Sequence, residues 1–318
     1  MMTPVLAWWV HDLSPHIIRF TDRIALHWYG FAYVVGFYLA YLVMRNLARR
    51  GLSEIKEDAV ADFITLTALF GVVLGGRLGY MFFYNFEGLL ADPLSIIRIM
   101  DGGMSAHGGI LGVALFLLWY ARKHHLSWTA LGDTLVAGAP LGIFTVRIAN
   151  FINGELFGRV TQVPWAVKFP TEISHQDFLD RYQAKFGDPF PLDQSVRHSP
   201  EILEIYGKAF GSREEFVAVL NPRHPSQLYE ALGEGLFIFL LLFWLRIRYP
   251  KLPHGILTGL FFILYAAARI TLEFVREPDS GAGRILGLTM GQFYSMFMLL
   301  AGAAFITWGV VRGRKQPT

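Results

Sequence analysis

Residues 135–159 read LVAGAPLGIFTVRIANFINGELFGR. The run from Leu135 to Val146 carries no charge and reads as part of a membrane span. Arg147, Asn150, Asn153, Glu155 and Arg159 then come within thirteen residues. An arginine at bilayer depth costs roughly 2.5–3.5 kcal/mol even on the lenient insertion scale, so the placement needs a reason. Snorkelling to the headgroups explains Arg159 well enough. Arg147, with Asn150, Asn153 and Glu155 beside it, points instead to an inward-facing pocket. Taken as helical, Arg147, Asn150 and Gly154 fall at i, i+3 and i+7 on one face.

The whole chain supports a membrane reading. Of its 318 residues, 53% are hydrophobic and only 17% charged, with mean hydropathy +0.40. Soluble domains carry about a quarter charged residues. There is no cysteine, which excludes disulfides, a thiolate nucleophile and thiolate metal ligation by this chain. The N-terminus, MMTPVLAWWVHDLSPHIIRF, lacks a basic n-region and a clean apolar h-region, and is read as mature protein.

Seven segments approach span length. They centre on Tyr29–Met44, Phe63–Phe83, Gly108–Tyr120, Thr134–Phe151, Leu228–Leu245, Ile256–Val275 and Gly291–Val311, the third and fourth being the shortest. The basic runs RNLARR, ARKHH, RIRYPK and RGRK come after the first, third, fifth and seventh. The positive-inside rule then places the N-terminus outside and the C-terminus in the cytoplasm. The expected fold is an all-α polytopic membrane protein with seven transmembrane helices. Residues 1–159 hold spans one to four, residues 160–222 form a small polar insertion on the outer side, and residues 223–318 hold spans five to seven. No internal repeat is visible, which disfavours a transporter built from inverted repeats. Gly71, Gly75 and Gly79 recur every four residues in the second span and read as a face for close helix packing.

Three further polar groups stand out. In YAAARITLEFVREPD, Tyr265, Arg269, Glu273 and Arg276 form one helical stripe near the end of the sixth span. An Arg269–Glu273 pair that merely neutralises itself is the bland reading. Two arginines from different helices facing one cavity, Arg147 and Arg269, suit a phosphate, because guanidinium is a planar, permanent, multi-donor cation. In DGGMSAHGGILG, residues 101–112, His107 stands at the mouth of the third span between glycine pairs. A helix N-terminus disfavours imidazolium, so a neutral His107 is expected, able to accept a proton as general base. Gly102, Gly103, Gly108 and Gly109 are read as leaving the backbone open to a substrate. In RHPSQLYE, residues 223–230, the Pro and Ser suit a helix start, whereas Glu230 one turn in is not explained by capping.

Taken together, HWYG, GGRLGY, FYNF, DGGMSAHGG, RIANFINGELFGR, RHPSQLYE and ARITLEFVREPD resemble, in order and over nearly the whole chain, the bacterial phosphatidylglycerol–prolipoprotein diacylglyceryl transferases. The resemblance implies a seven-span enzyme of the inner (cytoplasmic) membrane with a periplasmic head. Its substrates would be phosphatidylglycerol and a prolipoprotein signal peptide carrying a lipobox cysteine, with membrane lipids around it, no nucleic acid and no cofactor. The diacylglyceryl group would pass to the cysteine thiol and glycerol phosphate would leave. Carried over, the family's catalytic residues are His107, Arg147 and Arg269. Its lipid-binding residues are Arg147, Asn150, Glu155, Gly158, Tyr29, Tyr265, Glu273 and Arg276. One departure is that Val146 stands where the family pattern has Gly, while Ala149 occupies the pattern's Ala/Gly position. Whether His107, Glu155 or Glu273 is the base stays open. A non-enzymatic transporter, and a phospholipase-like hydrolase with water as acceptor, are the rival readings.

Overall fold

A computed structural model describes residues 8–21, 25–98, 102–191, 193, 196–277 and 285–313. Asp101, residues 1–7 of the N-terminus and the end of the last basic run, from residue 314, lie outside the described residues.

Eleven longer helices, two separate 3₁₀ turns (Pro93–Ile97 and Pro170–Ser174) and five short strands succeed one another among the described residues. Strands β1 (Trp9–Val10), β2 (His16–Arg19) and β3 (Ala25–His27) precede helix α1 (Trp28–Arg49). Then come α2 (Glu57–Tyr84), α3 (Phe86–Ala91), α4 (Ala106–His124) and α5 (Trp128–Asn153). Strand β4 (Val167–Lys168), helices α6 (Gln176–Phe186), α7 (Ser199–Ala209) and α8 (Arg213–Val219), and strand β5 (Pro222–Arg223) come next. The chain ends in α9 (Ser226–Arg248), α10 (Ile256–Leu272) and α11 (Met290–Gly313).

All seven apolar segments of the sequence fall on helices. Five of these, α1, α2, α5, α9 and α11, are long and apolar enough to cross a membrane. The fourth segment, short by eye, gains length because its helix begins back at Trp128 and runs 26 residues. Helix α4 has 19 residues but ends in Arg122, Lys123 and His124, and α10 is apolar but only 17 residues long. The fold is that of a helical membrane protein, with two small sheets between the helices. Strand β4 pairs parallel to β1 and antiparallel to β5, while β2 and β3 form a bulged hairpin.

The chain divides into two compact units. The first comprises Met1–Gly36, Pro140–Leu240 and Phe261–Gly302. Within it, residues 170–220 build an apolar core from Ile173, Phe178, Phe190, Ile202, Leu203, Tyr206, Phe216 and Leu220. Beside that core, Arg223 is fully buried. It donates to Glu172 at 3.1 Å, Asp177 at 2.6 Å and Glu277 at 3.0 Å, and its guanidinium lies 5.0 Å from the Phe157 ring centroid. Burial raises the Glu172 carboxyl above the usual carboxylate range even with Arg223 and Arg181 beside it. Removing one partner from such a buried network costs about 3–5 kcal/mol, because the other charge stays behind uncompensated.

The second unit comprises Phe37–Ala139, Leu241–Leu260 and Ala303–Thr318. Its core gathers Met44, Val60, Phe63, Phe116, Leu117, Tyr120 and Leu131. The glycine face of α2 is spent on packing against α4. A Cβ on Gly75 would stand 2.8 Å from the Gly112 Cα, and one on Gly79 only 2.4 Å from the Gly108 Cα. Buried Asp133 accepts from the backbone N–H groups of Gly255 and Thr258 at 2.8 Å and from the Thr258 hydroxyl at 2.7 Å, satisfying donors at the start of α10.

Candidate functional site

The polar run after the apolar half of α5 is first a helix terminus. Asn153 is the last helical residue and Gly154 adopts φ +69°. The Glu155 N–H donates to the Asn150 carbonyl at 3.1 Å and the Gly154 N–H to the Phe151 carbonyl at 2.9 Å. That bond pair is a Schellman motif, with the glycine at the left-handed position. Gly154 therefore leaves the helix and does not share a helical face with Arg147 and Asn150. The turn folds Glu155 back, and its carboxylate accepts from Asn150 Nδ2 at 2.8 Å and Asn153 Nδ2 at 3.3 Å. The start of α9 ties down the backbone of Glu155 and Leu156. Gln227 Nε2 donates to the Glu155 carbonyl at 2.6 Å and the Ser226 hydroxyl to the Leu156 carbonyl at 3.0 Å.

About two turns before that terminus, Arg147 joins a charge cluster with residues of α9 and of the end of α10. Arg147 Nη1 stands 3.0 Å from Glu230 Oε2, and Arg147 Nη2 donates to Glu234 Oε2 at 3.0 Å. Arg269 Nη1 donates to Glu230 Oε1 at 3.0 Å and lies 3.6 Å from Glu234 Oε1. Arg269 Nη2 is 3.4 Å from Glu273, its neighbour at i+4, and Arg276 Nη1 is 3.9 Å from Glu230 Oε1. Three guanidiniums thus face three carboxylates. Tyr265 interacts electrostatically with Arg147, Arg269, Glu230 and Glu234. Tyr29 meets Tyr33 edge to face at 5.4 Å, and Tyr33 in turn feels the charge of Arg147.

Two close approaches make the cluster possible. A Cβ on Gly235 would stand 2.7 Å from the Phe144 Cα, so α9 can press against α5 and carry Glu234 to Arg147. A Cβ on Gly291 would stand 2.8 Å from Glu273 Oε2, so the start of α11 admits that carboxylate. Helix α9 also widens into π-helical turns over Ala231–Phe237, a local geometry frequent at functional sites.

Comparison with known proteins places the chain in a family. The family model for prolipoprotein diacylglyceryl transferase matches residues 15–308. A phosphatidylglycerol–prolipoprotein diacylglyceryl transferase of Photorhabdus laumondii is 39% identical, the match covering 90% of this chain and 89% of the relative. One of Sodalis glossinidius is 40% identical, over 92% of each chain. One of Neisseria gonorrhoeae is 38% identical, over 94% of this chain and 97% of the relative. The chain belongs to the prolipoprotein diacylglyceryl transferase family.

Within this transferase, Arg147, Arg269, Glu273, Arg276 and Tyr265 are gathered into one cluster, and Asn150 and Glu155 into the helix-terminal turn. Gly158 lies where a Cβ would come within 2.4 Å of the Val275 carbonyl oxygen, and its N–H donates to the His224 carbonyl at 2.8 Å. Its close contacts are to Val275 and His224 of the chain itself. Arg159 donates through Nε to the Arg276 carbonyl at 3.0 Å, a fixed contact in place of simple snorkelling.

His107 belongs to the second unit. It stands in the first turn of α4, which Ser105 caps by accepting from the Gly108 N–H at 3.2 Å. The glycines around it divide in function. Gly108 packs against Gly75 and Gly79, Gly103 packs on the Tyr80 ring, and Gly102 has open space where a Cβ would point. Gly108 and Gly103 are therefore not left free for a substrate.

Sequence reasoning missed two residues. Glu234 sits in the apolar run ALGEGLF with no motif around it, yet its side chain is fully buried on Arg147. Arg77, in GGRLGY, is buried and bonded to backbone carbonyls. It donates to Ser95 at 2.5 Å, Arg98 at 2.8 Å, Gly103 at 3.2 Å and Ile96 at 3.3 Å, and also to Gly102. It thereby pins the segment that leads into Ser105 and His107. A lone charge inside an apolar run was the available signal in both cases.

Proposed function

We propose that this chain is a membrane transferase that moves the diacylglyceryl group of phosphatidylglycerol onto a prolipoprotein, in lipoprotein maturation. The finer reading is that the acceptor is the lipobox cysteine thiol, the bond formed a thioether and the product released glycerol phosphate. Seven spans carry the site in the inner membrane, N-terminus outside and C-terminus inside. Residues 160–222 form a periplasmic head inserted between spans 1–4 (residues 1–159) and spans 5–7 (residues 223–318).

The observation that carries this reading is the meeting of Arg147 and Arg269, from different helices, on shared carboxylates in a chain of this family. The chemistry asks for such a pair. A free thiol has a pKa of about 8.5, so little thiolate exists at neutral pH. His107 takes the thiol proton as sulfur attacks the glyceryl carbon. The carbon–oxygen bond breaks, its electron pair stays on the phosphate, and negative charge grows there. Arg147 and Arg269, aimed at that phosphate in a low-dielectric site, stabilise the charge. Asn150, Glu155, Gly158, Tyr29, Tyr265, Glu273 and Arg276 shape the lipid-binding site around them.

The test is a transfer assay with phosphatidylglycerol in the presence and absence of a lipobox peptide. Thioether formation on the peptide cysteine with release of glycerol phosphate is expected. Glycerol phosphate release without the peptide would show a hydrolase instead.

A further inference from the structure

A clamp made of Arg147 and Arg269 leaves Glu230 and Glu234 unexplained. Both side chains are fully buried, whereas those of Arg147 and Arg269 keep 15% and 14% of their surface exposed. The two carboxylates are therefore the more deeply buried members of the cluster and the two arginines the less buried ones. Glu230 is shared: Oε1 accepts from Arg269 and Oε2 faces Arg147, each at 3.0 Å. Its two oxygens address arginines from two different helices. Glu234 spans the same pair less evenly, at 3.0 and 3.6 Å. Without an anion between them, two guanidiniums this close would repel and splay.

We infer that Glu230 is the positioning residue that sets the separation and aim of Arg147 and Arg269, so that both reach the non-bridging oxygens of one phosphodiester. The inference rests on the phosphate clamp proposed above. Glu230 touches neither phosphate nor thiol and acts through the arginines. As the carbon–oxygen bond breaks and the phosphate keeps its electron pair, the growing charge is met only if both forks point at it. A carboxylate can hold two cations at once. A glutamine at the same place offers one acceptor oxygen and turns an N–H donor toward the other guanidinium.

The test is Glu230→Gln in the full chain, in mixed micelles with a lipobox peptide. Phosphatidylglycerol carrying sulfur at one or the other non-bridging phosphate oxygen serves as donor beside the natural lipid. Wild type should favour one diastereomer by about tenfold or more, because two fixed donors read two distinct oxygens. Glu230→Gln should lower kcat by about 10²-fold and bring the diastereomer ratio close to unity. KM for the natural lipid should not rise, since the variant makes the site more positive. A structural lesion would instead lower activity with the ratio unchanged, and that result, or an absent preference in wild type, overturns the inference. If Glu230→Gln does not fold, Glu234→Gln removes the weaker bridge and should lower the ratio in part; an unchanged ratio there overturns it too. No transfer by wild type from the natural lipid would instead refute the proposed function itself.

Discussion

Asn150 donates its side-chain amide to the Glu155 carboxylate at 2.8 Å while its carbonyl accepts from the Glu155 N–H at 3.1 Å. The two residues thus grip each other twice across the turn that ends α5. The spacing N-F-I-N-G-E is what this requires: three residues to finish the helix, a glycine at the left-handed position, then the carboxylate.

Gly154→Ala tests the turn. Its φ of +69° disfavours any L side chain, and the added Cβ would lie 3.0 Å from His11 Nδ1 and Ser199 Oγ. A loss of at least about 1–2 kcal/mol is expected, read as a lower melting temperature in detergent. An unchanged midpoint would mean that the turn can relax at no cost.

The helix pair α2–α4 gives a second stability prediction. Gly112→Val would drive a side chain to within 2.3 Å of the Gly71 carbonyl oxygen and 2.7 Å of the Gly75 Cα. Overpacking of this kind costs about 1–3 kcal/mol or more. Gly30→Ala, where nothing lies within 4 Å of the added Cβ, is the matched control and should be neutral or slightly stabilising. Equal melting temperatures for the two variants would refute the packing role.

His11 gives a pH dependence. Its Nε2 lies 2.8 Å from the Phe151 carbonyl, which can only accept, so Nε2 carries the proton and Nδ1 accepts from the Ser199 hydroxyl at 2.7 Å. Burial lowers its pKa below the ordinary 6.5. The folded state therefore refuses a proton that the unfolded chain takes up. The resulting stability is present above about pH 6.5 and is lost as pH falls below it, down to the depressed folded value. Between about pH 7.5 and 5.5 the melting temperature of wild type should fall. His11→Asn should start lower and fall less steeply. Parallel slopes would show that His11 does not contribute.

How much of the molecule is legible in the sequence can be judged from particular residues. The apolar runs mark every helix long enough to span, because bilayer thickness imposes a length that composition reveals. The Gly71–Gly75–Gly79 ladder announces a close helix contact, although its partner glycines, Gly108 and Gly112, are invisible without the third dimension. Arg147 and Arg269 stand out because an arginine in an apolar run is costly. Glu234 carries the same signal but is easily passed over, since no motif surrounds it. Helical periodicity carried through Gly154 misplaces it, because a glycine just past an amphipathic run marks a helix end. That Glu230 and Glu234 pair with Arg147 and Arg269 emerges only from tertiary packing, here the Gly235 approach to Phe144.

The clamp itself is tested by Arg147→Lys and Arg269→Lys. Each keeps the charge and loses the planar fork. Glu230 would then hold an ammonium that cannot face carboxylate and phosphate at once. A fall of about 10²-fold or more in turnover is expected for each variant, with the melting temperature in detergent largely kept. Near-normal turnover in both would sink the clamp.

His107 stands in the first turn of α4, behind the Ser105 cap. If His107 removes the thiol proton, its loss matters only while the thiol holds that proton. His107→Gln should then recover rate as pH rises toward the thiol pKa of about 8.5, where thiolate forms without help. The gap between the two enzymes should therefore narrow by about tenfold from pH 7 to pH 8.5, tracking the rise in thiolate fraction. An acceptor peptide with a more acidic thiol should narrow it further at constant pH. If the deficit of His107→Gln stays constant across this range and with both peptides, His107 does not take the thiol proton. Its role would then be to position the lipid, and the base would be sought among Glu155 and Glu273.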